Sequence, residues 1–357
     1  VSGPRVALVL GPSTGGIGQH VRSLALRLVD EGCDVRVLGP ASTGERFGFG
    51  EHVEFVPLEI PTPGSVWHGR TLLADTDVVH AHGHAASAVA TLALRRTTPL
   101  VVSWHNTVTA RGWRRVPLRH ARQWVVRRAR VVLGASADLV EEATALGAAD
   151  ARLLPVAAPS LEPATRERDE VRMSWGLAQR PLVLAVGRLA PQKRYDVLLD
   201  AVARVFARDA IPPLVVIAGD GPLREPLYER IRRERLPVLL VGHRSDVAEL
   251  LEAADVAVLT SDWEARALVA QEALRAGVPL VATAVGGIPD LVGDAALLVP
   301  PGDPEAVAAA LVEVIEQPAV AARLRAAGPP RAATWPDEDE TAREILKIYR
   351  EVVTPRA

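Results

Sequence analysis

The sequence predicts an α/β protein of two Rossmann-like domains facing a central cleft. Short apolar runs alternate with amphipathic stretches along the 357 residues, the signature of stacked βαβ units and parallel sheets. That length is too great for one typical core and suits two. The third observation is a stretch dense in proline and charge, Pro155 to Pro181, holding Pro159, Pro163 and the run Arg166-Glu167-Arg168-Asp169-Glu170. Proline at that density marks a domain boundary. The expected division is 1–165 for an N-terminal domain, 166–336 for a C-terminal domain, and 337–357 for a final helix packing back toward the first.

The elements follow in order. Strands are expected in the first half at Val6–Leu10, Val35–Leu38, Val53–Val56, Val78–Ala81, Leu100–Ser103, Val131–Gly134 and Arg152–Pro155. In the second half they are expected at Leu182–Val186, Leu214–Ala218, Val238–Val241, Val256–Leu259, Leu280–Ala282 and Ala296–Val299. Helical periodicity marks His20–Asp30, Asp196–Ala207 and Pro304–Ile315. The acidic run Asp337–Glu340 precedes the last helix and reads as carboxylates complementing a helix N-terminus. Ligands of such sheets bind beyond the carboxyl ends of the strands, so two sets of strand ends would share the cleft.

Composition narrows the class. A hydrophobic fraction of 48% and a charged fraction of 24% are those of an ordinary soluble globular protein. A formal net charge of −2 argues against nucleic acid bound over the whole surface. The single cysteine, Cys33, excludes an internal disulfide framework and a cysteine-based zinc site. Arg5–Leu10 reads as a strand and not as a leader, and no apolar run is long enough to span a bilayer, so the expected compartment is the cytoplasm. Arginine, alanine, glycine and proline abound, all with GC-rich codons, which fits a bacterial genome of that bias. Lysine occurs only at 193 and 347, so a lysine inside a motif carries weight.

Chemistry concentrates after the strands. Glu264–Ala265–Arg266–Ala267–Leu268–Val269–Ala270–Gln271–Glu272 forms an E-x7-E pair, one glutamate in a strand-end loop and the other about one turn into the next helix. The helix N-terminus between them suits phosphates. By itself the spacing is a weak signal, since two solvated glutamates around a helix start look the same. Gly187–Arg188–Leu189–Ala190–Pro191–Gln192–Lys193 strengthens it, because an arginine and a lysine beyond a strand end would clamp and neutralise a leaving diphosphate. Gly219, Gly242–His243–Arg244 and Gly286–Gly287 close further strand ends. In the first half, Thr14–Gly15–Gly16–Ile17–Gly18 opens a helix whose amides would accept an anion. Asp75–Thr76–Asp77 has D-x-D form, but Asp77 opens a buried strand, and no convincing metal-ligand cluster is read.

This order of motifs resembles glycosyltransferase family 4, the large retaining family of GT-B fold, densely from about Leu182 to Ala310 and more loosely over nearly the whole chain. The resemblance implies transfer of a hexose-type sugar from a nucleoside-diphosphate sugar to an acceptor that the sequence leaves open, with no metal required. Arg188 and Lys193 fall on the family's diphosphate-binding pair, Glu272 on the ribose-binding glutamate, and Glu264 on the glutamate that contacts the donor sugar. Leu268 and Val269 fall where backbone amides meet phosphate and ribose, and Gly242, His243 and Arg244 on the loop bordering the base. Gly15 and Gly16 lie in the glycine-rich turn that meets the donor phosphate, and Gly187 precedes the clamp. Asp77–Val78–Val79–His80–Ala81–His82 and Ser103–Trp104–His105–Asn106 match two strand ends of the family. His105 falls on the histidine that approaches the reacting side of the donor sugar. For His80 and His84 the structural reading, a hydrogen-bonded core residue, is kept.

The chain also departs from the family. Arg194 stands where glycine usually follows the motif lysine, and Ala265 and Ala267 replace the glycines of E-G-x-G. Alanine takes up positive φ less freely than glycine, so a differently seated loop is expected, and Arg266 brings an extra charge near the sugar pocket. The segment Arg111–Arg130 carries Arg111, Arg114, Arg115, Arg119, Arg122, Arg127, Arg128 and Arg130 with Trp113 and Trp124, and no acidic residue. It reads either as a solvated face or as a peripheral docking face for an anionic membrane or acceptor. Two rival functions stand beside the transferase: a nucleotide-sugar-binding protein without turnover, and a nicotinamide-dependent oxidoreductase. The second lacks G-x-G-x-x-G spacing and has no acidic residue at Leu38–Gly39–Pro40.

Overall fold

Residues 3–13, 15–107, 115–159, 163–177, 179–206 and 212–353 are described by the computed structural model. Thr14, Arg111, Trp113 and Arg114 lie outside them. The chain folds as two units, Val1–Pro159 with Pro336–Ala357, and Ser160–Trp335.

The first unit runs β1 (Arg5–Leu10), α1 (Gly16–Asp30), β2 (Asp34–Gly39), α2 (Ala41–Phe47), β3 (Glu54–Pro57), α3 (Pro63–Leu72) and β4 (Val78–His82). It continues through α4 (His84–Ala93), β5 (Leu100–Trp104), α5 (Arg115–Arg128), β6 (Val131–Gly134), α6 (Ala137–Ala145) and β7 (Ala151–Leu153). The strands are parallel in the order β3-β2-β1-β4-β5-β6-β7. Val6 is registered against Val35 on one side and Val78 on the other. The order reverses between β1 and β4, and at such a switch point the connections leave in opposite directions and open a crevice at the carboxyl ends.

The second unit begins with α7 (Arg168–Ser174), β8 (Leu182–Val186), α8 (Tyr195–Phe206), β9 (Leu214–Ala218), α9 (Arg224–Glu234), β10 (Val238–Gly242) and α10 (Val247–Ala253). Then come β11 (Val256–Leu259), α11 (Leu268–Arg275), β12 (Leu280–Thr283), α12 (Ile288–Val292), β13 (Leu297–Val299), α13 (Pro304–Glu316) and α14 (Pro318–Ala332). Its parallel strands lie in the order β10-β9-β8-β11-β12-β13, so its switch point falls between β8 and β11. The strands are continuous apolar runs because both faces are covered. Leu182, Leu184, Val216 and Leu259 pack on one face with Leu251 and Leu274, while Val183, Ala185, Ile217 and Val258 pack on the other with Leu198, Val202 and Leu311. The charged linker residues become part of this unit: Arg168 and Arg172 both grip Asp255, at 2.6 and 3.0 Å, ahead of β11.

The last helix, α15 (Glu338–Val353), returns to the first unit. Its apolar face, Ile345, Leu346 and Tyr349, joins Val21, Leu24 and Leu28 of α1 in one core. The acidic run opens it as a capping box: the Glu340 amide donates to Asp337 Oδ1 at 2.7 Å, and the Asp337 amide to Glu340 Oε2 at 3.0 Å. Glu338 also pairs with Arg27 of α1, at 3.2 Å. Those carboxylates cap and anchor a helix. Asp77 is likewise engaged, accepting from the Arg5 amide and guanidinium, each at 2.8 Å. Among the described residues no helix is long and apolar enough to cross a membrane.

Candidate active site

In the second unit the site grows from the two strand ends at the switch point. After β8 the chain makes a short turn at Pro191–Lys193, which projects Lys193 across the end of β11. Lys193 Nζ donates to Glu264 Oε1 at 2.6 Å, and Ser261 Oγ donates to the same oxygen at 2.6 Å. Both charged side chains are mostly shielded, at 21% and 12% exposure, which makes this a charge-assisted contact in a low-dielectric setting and not a surface pair. Backbone bonds hold the two loops in register. The Asp262 amide donates to the Gln192 carbonyl at 2.8 Å, and Thr260 Oγ1 donates to the Lys193 carbonyl at 2.9 Å. Tyr195 donates to the Gly187 carbonyl at 3.2 Å, its hydroxyl pKa raised by burial and by Glu264.

Both departures from the family pattern find physical explanations here. Arg194 has φ +48°, the left-handed region where glycine is favoured, and its guanidinium is pinned by Asp196 at 3.0 Å and Asp262 at 2.7 Å. Two ion pairs offset the backbone cost. Ala265 and Ala267 need no positive φ: outside glycine, the described residues adopt it only at Arg194 and Arg235. The differently seated loop expected from those alanines therefore has no backbone cause. The left-handed residue is Gly286, at φ +51°, where a Cβ would come within 2.1 Å of the Glu264 carbonyl oxygen. The Gly287 amide donates to that oxygen at 2.9 Å, so the glycine pair seats Glu264 from behind. Arg266 packs its guanidinium over the Trp335 ring at 5.3 Å, and burial, with Arg275 and Arg331 nearby, lowers it to about 10.

The other expected residues are placed as follows. Arg188 is exposed and forms no ion pair among the described residues, which leaves its charge available. Ala267 caps α11, so the amides of Leu268 and Val269 lie in the first turn, outside the helix ladder. Glu272 sits one turn in, and burial pushes its carboxyl up to about 7, with Arg275 pulling back. Gly242 ends β10 at φ +73° and its carbonyl accepts from the Gly219 amide at 2.7 Å. His243 is exposed, whereas Arg244 is tied to Asp246, at 2.7 Å through Nε.

In the first unit Gly15 caps α1, and its carbonyl accepts from the Gly18 amide at 3.0 Å, leaving the Gly16 and Ile17 amides outside the ladder. His105 follows β5 and its Nε2 lies 3.1 Å from Nδ1 of His82, the last residue of β4. Their rings are stacked at 5.4 Å, with His20 of α1 edge-on to both. Burial pushes His20 down to about 4, and burial with neighbouring imidazoles holds His82 and His105 well below the usual histidine value. These rings are neutral at neutral pH. His80 is a core residue, bonded to Tyr349 Oη at 2.6 Å and Ser103 Oγ at 2.7 Å, and His84 contacts the Asn106 carbonyl at 2.9 Å.

Sequence reasoning gave no part to Ser261 or His20, and it quoted Gln192, Gly286 and His82 only within strand-end motifs, without seeing that the first two help position the Lys193–Glu264 pair and that His82 flanks His105. For His82 a signal existed: the two-residue strand period puts it on the same face as His80. The cationic segment is only partly a surface. Arg122 lies over Trp104 at 4.5 Å and pairs with Glu142 at 2.5 Å, and Arg128 donates to the Arg95 and Thr98 carbonyls at 2.7 and 2.9 Å. Arg119, Arg127 and Arg130 remain exposed, beside Val116 at 60% and Trp124 at 47%.

The chain matches two protein families in succession, "Glycosyl transferase 4-like domain" over residues 15–159 and "Glycosyl transferases group 1" over residues 167–331. A D-inositol 3-phosphate glycosyltransferase of Nocardiopsis dassonvillei is 31% identical, over 79% of this chain and 72% of its own. The chain belongs to glycosyltransferase family 4. It is an enzyme of the transferase class that uses a nucleotide sugar. The glycogen synthase of Mycobacterium tuberculosis is 29% identical, with 94% of this chain and 91% of that protein covered. A crystal structure of Anabaena HepE in complex with UDP and glucose superposes with a TM-score of 0.84 at 20% identity, covering 97% of this chain and 99% of the other. The two parallel-sheet units of this glycosyltransferase are thus those of the GT-B fold.

Proposed function

We propose that this glycosyltransferase moves a hexose-type sugar from a nucleoside-diphosphate donor with retention of anomeric configuration. The observation that carries the reading is the Lys193–Glu264–Ser261 arrangement at the β8/β11 switch point, with Arg188 exposed on the same loop. Breaking a glycosidic bond to a diphosphate builds negative charge on the leaving group and positive charge on the ring. Lys193, Arg188 and the Leu268 and Val269 amides answer the first, without recruiting a metal. Glu264 answers the second, at the donor sugar. Glu272 accepts from the ribose hydroxyls, Gly242, His243 and Arg244 border the base, and Gly187 lets the phosphates approach the backbone. From the first unit, the Gly15–Gly16 turn is assigned to phosphate and His105 to the sugar. The likeness to proteins solved with UDP and with UDP-glucose supports the donor class.

The exposed face of α5, with Val116, Arg119, Trp124 and Arg127, is proposed as the surface toward an anionic membrane or anionic acceptor. Apolar tips among arginines are what an interfacial helix presents.

Nucleotide release from a panel of uridine, guanosine and adenosine diphosphate sugars, with the anomeric coupling of the product read by NMR, tests the assignment. An axial product from an axial donor is expected. An inverted product would reject the retaining part, and donor binding without release would favour the non-catalytic reading.

A further inference from the structure

The described residues hold one constellation that the proposed transfer uses only through its His105. His20 comes from α1, His82 from the end of β4 and His105 from the residue after β5, and all three converge at the β1/β4 switch point. Each can offer one ring nitrogen, and those nitrogens lie within 4.8 Å of one another. A triangle of that side has its centre about 2.8 Å from each corner, so ring rotations of less than an ångström bring all three to the 2.0–2.1 Å of a zinc–imidazole bond. His82 Nδ1 and His105 Nε2 are already 3.1 Å apart, close to the roughly 3.3 Å that separates two ligands of a tetrahedral ion.

The tautomer of His82 bears on the same cluster. His82 is 2% exposed, yet its Nε2 has no hydrogen-bond partner. A buried ring nitrogen without a partner is costly, and its tautomer is set by whatever occupies the opposite nitrogen. In the arrangement described, that opposite nitrogen faces another neutral imidazole across one shared proton. A cation bound at Nδ1 replaces that shared proton and leaves the ring's remaining proton on Nε2. His80 takes no part, since Tyr349 and Ser103 occupy both its nitrogens, but its ring packs 4.0 Å from His82 and limits how far His82 can turn.

We propose that His20, His82 and His105 form a three-imidazole site for a divalent transition-metal ion of the zinc class. Three neutral nitrogen donors suit zinc, nickel or copper and not magnesium or calcium, which prefer oxygen. Among the described residues no carboxylate or thiol joins the cluster. His105 is the partly exposed member, so the fourth position opens on its side. The site itself does not depend on the catalytic reading. Its consequence for turnover does, because a metal on His105 withdraws the imidazole assigned to the donor sugar, which makes the ion an inhibitor and not a cofactor.

Two measurements test the site. Chelator-treated full-length protein is titrated with Zn2+ against a chromophoric chelator, and separately with Co2+ while the visible band of tetrahedral cobalt is recorded. One equivalent is expected to bind, with the cobalt band present and Mg2+ producing no competition. His20→Gln and His82→Asn are expected to weaken Zn2+ binding by at least the roughly 10–100-fold typical of a lost supporting contact, and to abolish the cobalt band. Zn2+ should raise the melting temperature of the parent protein and not of folded His20→Gln, which separates loss of a ligand from loss of fold. No binding by the parent protein, or equal binding by His20→Gln, overturns the site. In transfer assays Zn2+ inhibition that His20→Gln escapes supports both readings. Stoichiometric binding without inhibition upholds the site and removes His105 from the reaction.

Discussion

Lys193 Nζ lies 2.6 Å from Glu264 Oε1, although the two residues are 71 positions apart. The ammonium expected to hold the leaving diphosphate and the carboxylate expected to meet the sugar are therefore a single unit, with Ser261 as third member. Before a donor arrives, each sets the orientation of the other.

Removing one partner should cost more than removing both. In Lys193→Met, Glu264 keeps Ser261 but loses its charged partner, and about 1–3 kcal/mol of stability should go with it. Lys193→Met with Glu264→Gln should recover part of that loss, which urea denaturation of the four proteins will show. In turnover, Lys193→Ala should lose roughly 2–4 kcal/mol of transition-state stabilisation. Unchanged kinetics would remove Lys193 from the leaving-group site.

Glu264 and Glu272 should separate in kinetics. Glu272 is held one turn inside α11, at a fixed height above the Leu268 and Val269 amides, so the proposed ribose contact would be made equally in ground and transition states. Glu272→Gln should chiefly raise the donor KM. With Glu264 at the donor sugar as proposed, where charge would develop, Glu264→Gln should chiefly lower kcat. The same phenotype in both variants would end this division of labour.

Glu272 should also impose a pH dependence. Burial raises its carboxyl to about 7, so between 4.5 and 7 the native state holds a proton that the unfolded chain has released. Stability contributed by this group is highest below that window and falls as pH rises through it, by on the order of 3 kcal/mol in total. A carboxylate accepts from hydroxyls better than a carboxyl does, so with Glu272 at the ribose as proposed, donor affinity should move oppositely, rising with pH by up to about tenfold per unit below 7. A nucleotide sugar is the right probe, because its diphosphate diester keeps constant charge in this range. Isothermal titration from pH 6 to 8 should give a slope that Glu272→Gln flattens; equal slopes would place Glu272 outside the donor site.

The α5 face predicts salt-sensitive partitioning. Each arginine near an anionic bilayer contributes about 1 kcal/mol, and Arg119→Glu should weaken co-sedimentation with anionic vesicles, as should Trp124→Ala. Both losses should shrink at high salt, the arginine effect more than the tryptophan effect. Equal partitioning of the parent protein into neutral and anionic vesicles would leave α5 a solvated face.

Local pattern alone determined the thirteen strands of the described residues, with bounds within about two residues, because buried parallel strands are continuous apolar runs that stand out in any context. The strand-end placement of Arg188, Lys193 and Glu264 was legible for a related reason: a strand end followed by charge or glycine is a local signature of a ligand-binding loop. The pairing of Lys193 with Glu264 was not legible. It depends on the reversal of strand order between β8 and β11, a property of the whole sheet. Likewise Arg194 looked like a lost glycine, and only the folded loop supplies Asp196 and Asp262 to stabilise its left-handed backbone. The four histidines 20, 80, 82 and 105 are spread over 86 positions in the sequence and become one neutral cluster only when α1, β4 and β5 meet. Sequence fixes what each short segment prefers, through periodicity and side-chain sterics; which charges and rings touch is decided by long-range strand order, where the free energy of packing the sheet outweighs any local preference.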